Sequence, residues 1–193
     1  MVGIRFAGAR SLMGHMRSAH SENPKARTKQ KELAVHTLLT EAGVQFEYQL
    51  HMPFASCELA SETKCAYVDF AIATEWGYVL LEVDEEQHRG KDKDPSCDVR
   101  RDFDIAASTA LGSGQPLVVL RYNPDAFKVN GATRTVSSKE RQAKLLETLS
   151  ALEEPREFRR LFMYYDRDAD DDVLPLVAKE WDETARRFSH VVC

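Results

Sequence analysis

Between Tyr67 and His88 the sequence reads Y-V-D-F-A-I-A-T-E-W-G-Y-V-L-L-E-V-D-E-E-Q-H, two apolar runs around a polar break at Thr74–Gly77. Short runs rich in Val, Ile, Leu and aromatics, bounded by a glycine turn, predict a β-hairpin. With Ala73 paired to Tyr78, Asp69 falls opposite Glu82. Side chains alternate faces along a strand. Val68, Phe70 and Ile72 are then expected on one face with Val79, Leu81 and Val83, and Asp69, Glu82 and Asp84 on the other. Like charges facing each other destabilise a hairpin. A divalent cation held by Asp69 and Glu82 would offset that repulsion, since hard cations such as magnesium take carboxylate oxygens. The plainer alternative is a half-exposed hairpin with three solvated acids.

The flanking segments predict an α/β domain with a mixed sheet. A helix is expected from Thr28 to Ala42, stopped by Gly43, with Val35, Leu38, Leu39 and Ala42 as its apolar stripe. Glu32 borders that stripe, and an inward carboxylate needs a partner. Val44–Leu50 reads as a strand, and residues 51–65 as a polar connection carrying Cys57 and Cys65. After the charged loop Arg89–Ser96, a helix from Asp98 to Leu111 presents Val99, Phe103, Ala106 and Ala110 as one stripe. Asp98, Arg101 and Asp102 share another face. Pro116–Tyr122 reads as a buried strand, and Asn130-Gly131 as a hairpin turn. A helix over Ser138–Leu152, a strand over Leu161–Tyr165, an acidic loop over Asp166–Asp172 and a helix over Leu176–Phe188 complete the expected elements.

The first residues are of a different kind. Phe6, Leu12, His15 and His20 have the spacing of the second half of a Cys-Cys-His-His zinc finger, without the preceding cysteines. This segment is either a degenerate or truncated finger, taking Zn2+ through His15 and His20, or a short amphipathic helix with solvated histidines. Residues 21–31 follow as a basic linker carrying Lys25, Arg27 and Lys29. Residues 1–25 thus form the finger-like segment and linker, 26–136 the core, and 137–193 a helix-strand-helix extension packed on it.

Composition bounds the function. The 193 residues are 43% hydrophobic and 30% charged, with no apolar run near the ~20 residues of a membrane span. No export signal is visible, and four scattered cysteines fit a reducing compartment. An intracellular protein, nuclear or cytoplasmic and not secreted, is expected. Cys57, Cys65 and Cys97 could join a histidine at a second zinc site, but no Cys-x-x-Cys pair supports it, and free thiols are the simpler reading. A net charge of −5 argues against non-specific nucleic-acid binding by the whole surface, though not by a local basic patch.

The order helix, strands, carboxylate hairpin, helix, buried strand resembles the PD-(D/E)xK restriction-endonuclease-like core. More narrowly, V-D-F, L-E-V-D-E-E-Q-H, D-V-R-R-D and V-V-L-R-Y-N-P-D resemble the branch related to very-short-patch mismatch-repair endonucleases and E-D-x-H-D homing endonucleases. The resemblance spans Lys31 to Asp125. It implies a Mg2+- or Mn2+-dependent endonuclease acting on nucleic acid, with DNA the expected polymer. Asp69 and Glu82 match the motif's acids, Glu32 the acid of the first helix, His88 the histidine, and Asp98 or Asp102 the last acid. Asp84 stands where most such enzymes have lysine, so His88 or a second metal must do that lysine's work. Arg89, Lys91, Arg100 and Arg101, with Lys25, Arg27 and Lys29, are the expected nucleic-acid contacts. The rival readings are a non-cleaving nucleic-acid-binding module and a magnesium phosphoesterase for small nucleotides. The oligomeric state is open, and a homodimer is compatible with the sequence.

Overall fold

The computed structural model describes residues 30–53, 65–88, 95–156, 158–167 and 189–192; the side chains of Glu86, His88, residues 95–100, Leu111 and residues 189–192 lie outside that description. Helix α1 (Gln30–Glu41) leads into β1 (Glu47–Pro53), β2 (Cys65–Ala73) and β3 (Tyr78–Val83). A 3-10 turn (Glu85–His88), α2 (Pro95–Gly112) and β4 (Leu117–Tyr122) follow. The hairpin β5 (Phe127–Val129) and β6 (Ala132–Arg134), α3 (Ser138–Ala151), β7 (Arg159–Met163) and β8 (Ser189–Val192) complete the described chain. The fold is α/β, with a mixed six-stranded sheet ordered β1-β2-β3-β4-β7-β8. β1, β2 and β3 are antiparallel neighbours, whereas β4, β7 and β8 add on in parallel. None of the described helices is long and apolar enough to cross a membrane.

Local chemistry accounts for the element ends. α1 stops because Gly43 adopts φ +73° and Val44 N–H returns to the Leu39 carbonyl, a left-handed cap open to glycine. Ala73 pairs with Tyr78, the register expected from the sequence. Gly77 is required in that turn: a Cβ there would lie 2.2 Å from the Pro116 carbonyl oxygen, which accepts from Tyr78 N–H. At the second hairpin Asn130 (φ 51°) and Gly131 (φ 77°) both take positive φ, as a two-residue loop matching strand twist demands. Ser137 caps α3 by accepting from Glu140 N–H.

Two apolar layers sandwich the sheet. On one side Val35 and Leu39 of α1 and Leu145 of α3 pack with Phe70, Ile72, Val79, Leu81, Val118 and Leu120. On the other Ile105 of α2 packs with Ala66, Val68, Ala71, Leu80 and Val119. Val68 therefore does not share a face with Phe70 and Ile72, contrary to simple alternation. The reversal falls where the β1–β2 ladder is interrupted: Gln49 has φ 55° and stands between the pairs Tyr48–Phe70 and Leu50–Val68. Within β1 the faces change at the same level, Tyr48 packing with one layer and Leu50 with the other.

The inward face of α2 also differs from the expected stripe. Ala110 is exposed, while Asp102, Asp104, Ile105, Ser108 and Thr109 are buried. Asp102 turns inward because two arginines, Arg121 of β4 and Arg160 of β7, rise from the sheet beneath it. β7 begins at Arg159 rather than Leu161, and β8 was not anticipated. β7 and β8 continue the core's own sheet. The expected helix over Leu176–Phe188 and the acidic loop beyond Arg167 lie outside the described residues.

Candidate functional site

Helicity places Glu32 in the first turn of α1, on the same side as Val35 and Leu39, and it is 5% exposed. Its carboxylate accepts hydrogen bonds from the Tyr48 hydroxyl and from Gln49 Nε2, the latter at 2.7 Å. Burial, and then the Glu32 charge, push the Tyr48 phenol pKa up, so it stays a donor. Gln49 Nε2 also donates to Asp69 Oδ1 at 3.0 Å. One amide thus ties the helix acid to the strand acid. A non-glycine residue held at positive φ is a local strain, and at Gln49 that conformation comes with a side chain joining two carboxylates.

Asp69 Oδ2 accepts the Val83 backbone N–H at 2.9 Å, fixing its carboxylate against β3 beside Glu82. Glu82 is buried, and its pKa is raised well above the ordinary value. Burial is the main cause and repulsion from Asp69 the next; Arg101 and Arg121 pull the other way without prevailing. Arg101, from α2, donates through Nη2 to Glu82 Oε1 at 2.8 Å and to the Tyr67 carbonyl. Burial works against its charge, but the Glu82 and Asp102 carboxylates leave its pKa above the ordinary value. Arg101, expected as a nucleic-acid contact, is thus anchored at one nitrogen to Glu82 and remains a quarter exposed.

Asp84 points into a different environment and is fully buried. Arg121 grips it with two hydrogen bonds, Nε to Oδ2 at 2.6 Å and Nη2 to Oδ1 at 3.1 Å. The Tyr165 hydroxyl donates to the same carboxylate. Arg121 Nη1 bonds both oxygens of Asp102, at 2.9 and 3.1 Å, and Arg160 Nε bonds Asp102 Oδ2 at 3.1 Å. Two acids and two arginines balance behind the candidate site. Burial, then the Asp84 charge, raises the Tyr165 pKa well above its usual range.

The 3-10 turn after β3 is pinned by Gln87. Its Nε2 donates to Asp166 Oδ1 at 2.8 Å, and its Oε1 accepts Asp166 N–H at 2.8 Å. Gln87 has φ 55°. Gln87→Ala is expected to cost about 1–2 kcal/mol, the scale for losing two part-buried hydrogen bonds. Gln87→Gly should be milder, because glycine relieves the left-handed backbone. Thermal unfolding of both variants checks this; an alanine variant as stable as wild type would show that the amide pair contributes nothing.

The structure thus joins Glu32 to Asp69 through Gln49, sets Glu82 beside Asp69 with Arg101 bonded to it, and holds Asp84 in its arginine network. The His88 and Asp98 side chains lie outside the described residues, as does that of Arg100. So do Lys25, Arg27, Lys29, Arg89 and Lys91, and His15 and His20 of the finger-like segment. Among the expected cysteines, Cys65 is a half-buried free thiol. Gln49, Tyr48, Arg121 and Tyr165 were not anticipated. Arg121 carried a signal, a lone cation inside the apolar run L-V-V-L-R-Y; Gln49 carried none.

Asp69 and Glu82 suit a divalent cation in chemistry. They are neighbouring hard oxygen donors, and burial with mutual repulsion penalises Glu82's charge. Among the described residues, no group of three or more His, Cys, Asp or Glu stands together as a ready metal cage. A scan of protein-family models finds no match to this chain, and searches of curated proteins and of solved structures find none either.

Proposed function

We propose that this protein is a metal-dependent endonuclease hydrolysing phosphodiester bonds of nucleic acid, with DNA the preferred polymer. The observation that carries the reading is the linked acid set: Glu32, bridged by Gln49 to Asp69, with Glu82 beside it. The element order α1-β1-β2-β3-α2-β4, three antiparallel strands and then a parallel one, supports the restriction-endonuclease-like resemblance. Asp69 and Glu82 would hold the cation, magnesium or manganese, which when bound polarises phosphate and acidifies water. Gln49 orients Asp69 and Glu32 through its one amide. His88, directly after the pinned Gln87, is assigned the proton work that lysine performs in most such enzymes.

The Arg101–Glu82 pair favours a second reading, a non-cleaving nucleic-acid-binding module, because it neutralises one acid without metal. Plasmid and single-stranded DNA incubated with the pure protein and magnesium, manganese or chelator separate the two. Cleavage that the chelator stops supports the endonuclease. DNA binding without cleavage in either metal leaves the binding module.

A further inference from the structure

A phosphodiester entering this site brings negative charge to a place that already holds two carboxylates, Asp69 and Glu82. Beside the divalent cation those acids would hold, a protein cation can share the charge on the phosphate oxygens. Asp84 supplies none, and Arg121 behind it is 2% exposed with its guanidinium taken by Asp84 and Asp102. Arg101 is placed differently. It uses a single nitrogen, Nη2, for both anchors, Glu82 on β3 and the Tyr67 carbonyl on β2. Its Nε and Nη1 make no hydrogen bond among the described residues. A quarter of its side chain remains exposed, against 5% for Glu82. The cation is therefore fixed at one end and accessible in part. A guanidinium keeps its charge at any working pH and presents planar N–H pairs suited to phosphate oxygens.

We propose that Arg101 binds a non-bridging oxygen of the scissile phosphate, supplying from α2 the positive charge that the strand position of Asp84 lacks. The assignment rests on the endonuclease reading. As the water oxygen bonds to phosphorus and the bond to the leaving sugar oxygen breaks, the water's proton passes by way of His88 and solvent to that oxygen. Arg101 transfers no proton and balances charge on the phosphoryl oxygens throughout.

The test uses the full chain and the variants Arg101→Ala and Arg101→Lys. Single-turnover cleavage with magnesium should fall by roughly 10²–10³-fold in Arg101→Ala, the scale for losing one charge-stabilising donor. Added guanidinium ion should restore part of it, while potassium at equal ionic strength should not. Binding of a labelled oligonucleotide with calcium in place of magnesium gives an independent readout. The slope of log Kd against log salt should drop by about one phosphate contact in Arg101→Ala and stay near wild type in Arg101→Lys. An Arg101→Ala rate equal to wild type, or a lost rate that guanidinium does not restore together with an unchanged salt slope, overturns the assignment. Should Arg101→Ala fail to fold, Arg101→Met takes its place in the salt series. Should wild type cleave nothing with either metal, the endonuclease reading fails, while the salt slope still decides whether Arg101 meets phosphate.

Discussion

Arg121→Met is expected to destabilise the protein by about 3–5 kcal/mol, the scale for stripping one partner from a buried ion network. Arg121 makes four hydrogen bonds to Asp84 and Asp102. Both carboxylates are fully buried. Without the guanidinium, Asp84 keeps the Tyr165 hydroxyl and Asp102 keeps Arg160, but the cluster holds one charge too many. The double variant Arg121→Met with Asp84→Asn should recover part of the loss, because it removes the uncompensated charge with the cation. Urea unfolding followed by tryptophan fluorescence, from Trp76 and Trp181, measures both. A single variant within 1 kcal/mol of wild type, the range of an exposed pair, would mean that water reaches these groups and screens them.

Glu82→Gln is expected to have opposite effects on activity and stability. Metal-dependent cleavage should fall by roughly 10³-fold, since a cation's charge stabilisation amounts to several kcal/mol and each 1.36 kcal/mol is tenfold. Metal-free stability at neutral pH should be equal or higher. Glu82 has a folded-state pKa raised above its ordinary 4.5 by burial and Asp69. The folded state therefore holds this proton more tightly than the unfolded chain. Stability from this group is greatest below pH ~4.5 and declines as pH rises through the raised value. Glutamine removes that decline and keeps an oxygen for Arg101. The check is melting temperature from mildly acidic to alkaline pH in chelator. A variant less stable than wild type across the range would make Glu82 a structural partner of Arg101. Asp69→Asn should differ, because one of its two acceptors, for Gln49 Nε2 or Val83 N–H, becomes a donor facing a donor.

Much of the frame was legible. The hairpin register followed from alternation and Gly77, and Glu32 turned inward because helical periodicity placed it above Val35 and Leu39. What could not be read were departures from regular backbone and charges inside the protein. The faces of Leu50 and Val68 change where Gln49 takes positive φ and the ladder is interrupted, and no residue type announces it. Asp102 looked exterior because charged helix residues usually are; its partners, Arg121 and Arg160, come from strands that read as apolar. β8, the four residues S-H-V-V, was too short for any periodicity. Its place follows from β7, whose outer edge offers hydrogen bonds to a further parallel strand.

The Asp84–Arg121 pair also shapes which substitutions this chain can accept over time. A lysine at position 84 would set an ammonium against the Arg121 guanidinium in a buried site, where Asp84 is 0% and Arg121 2% exposed. It would also take away the acceptor of the Tyr165 hydroxyl. Changes at positions 84 and 121 are therefore coupled, each costing more alone than together. The neighbours Tyr165, Asp102 and Arg160 are held in the same network, so the constraint extends to them as well.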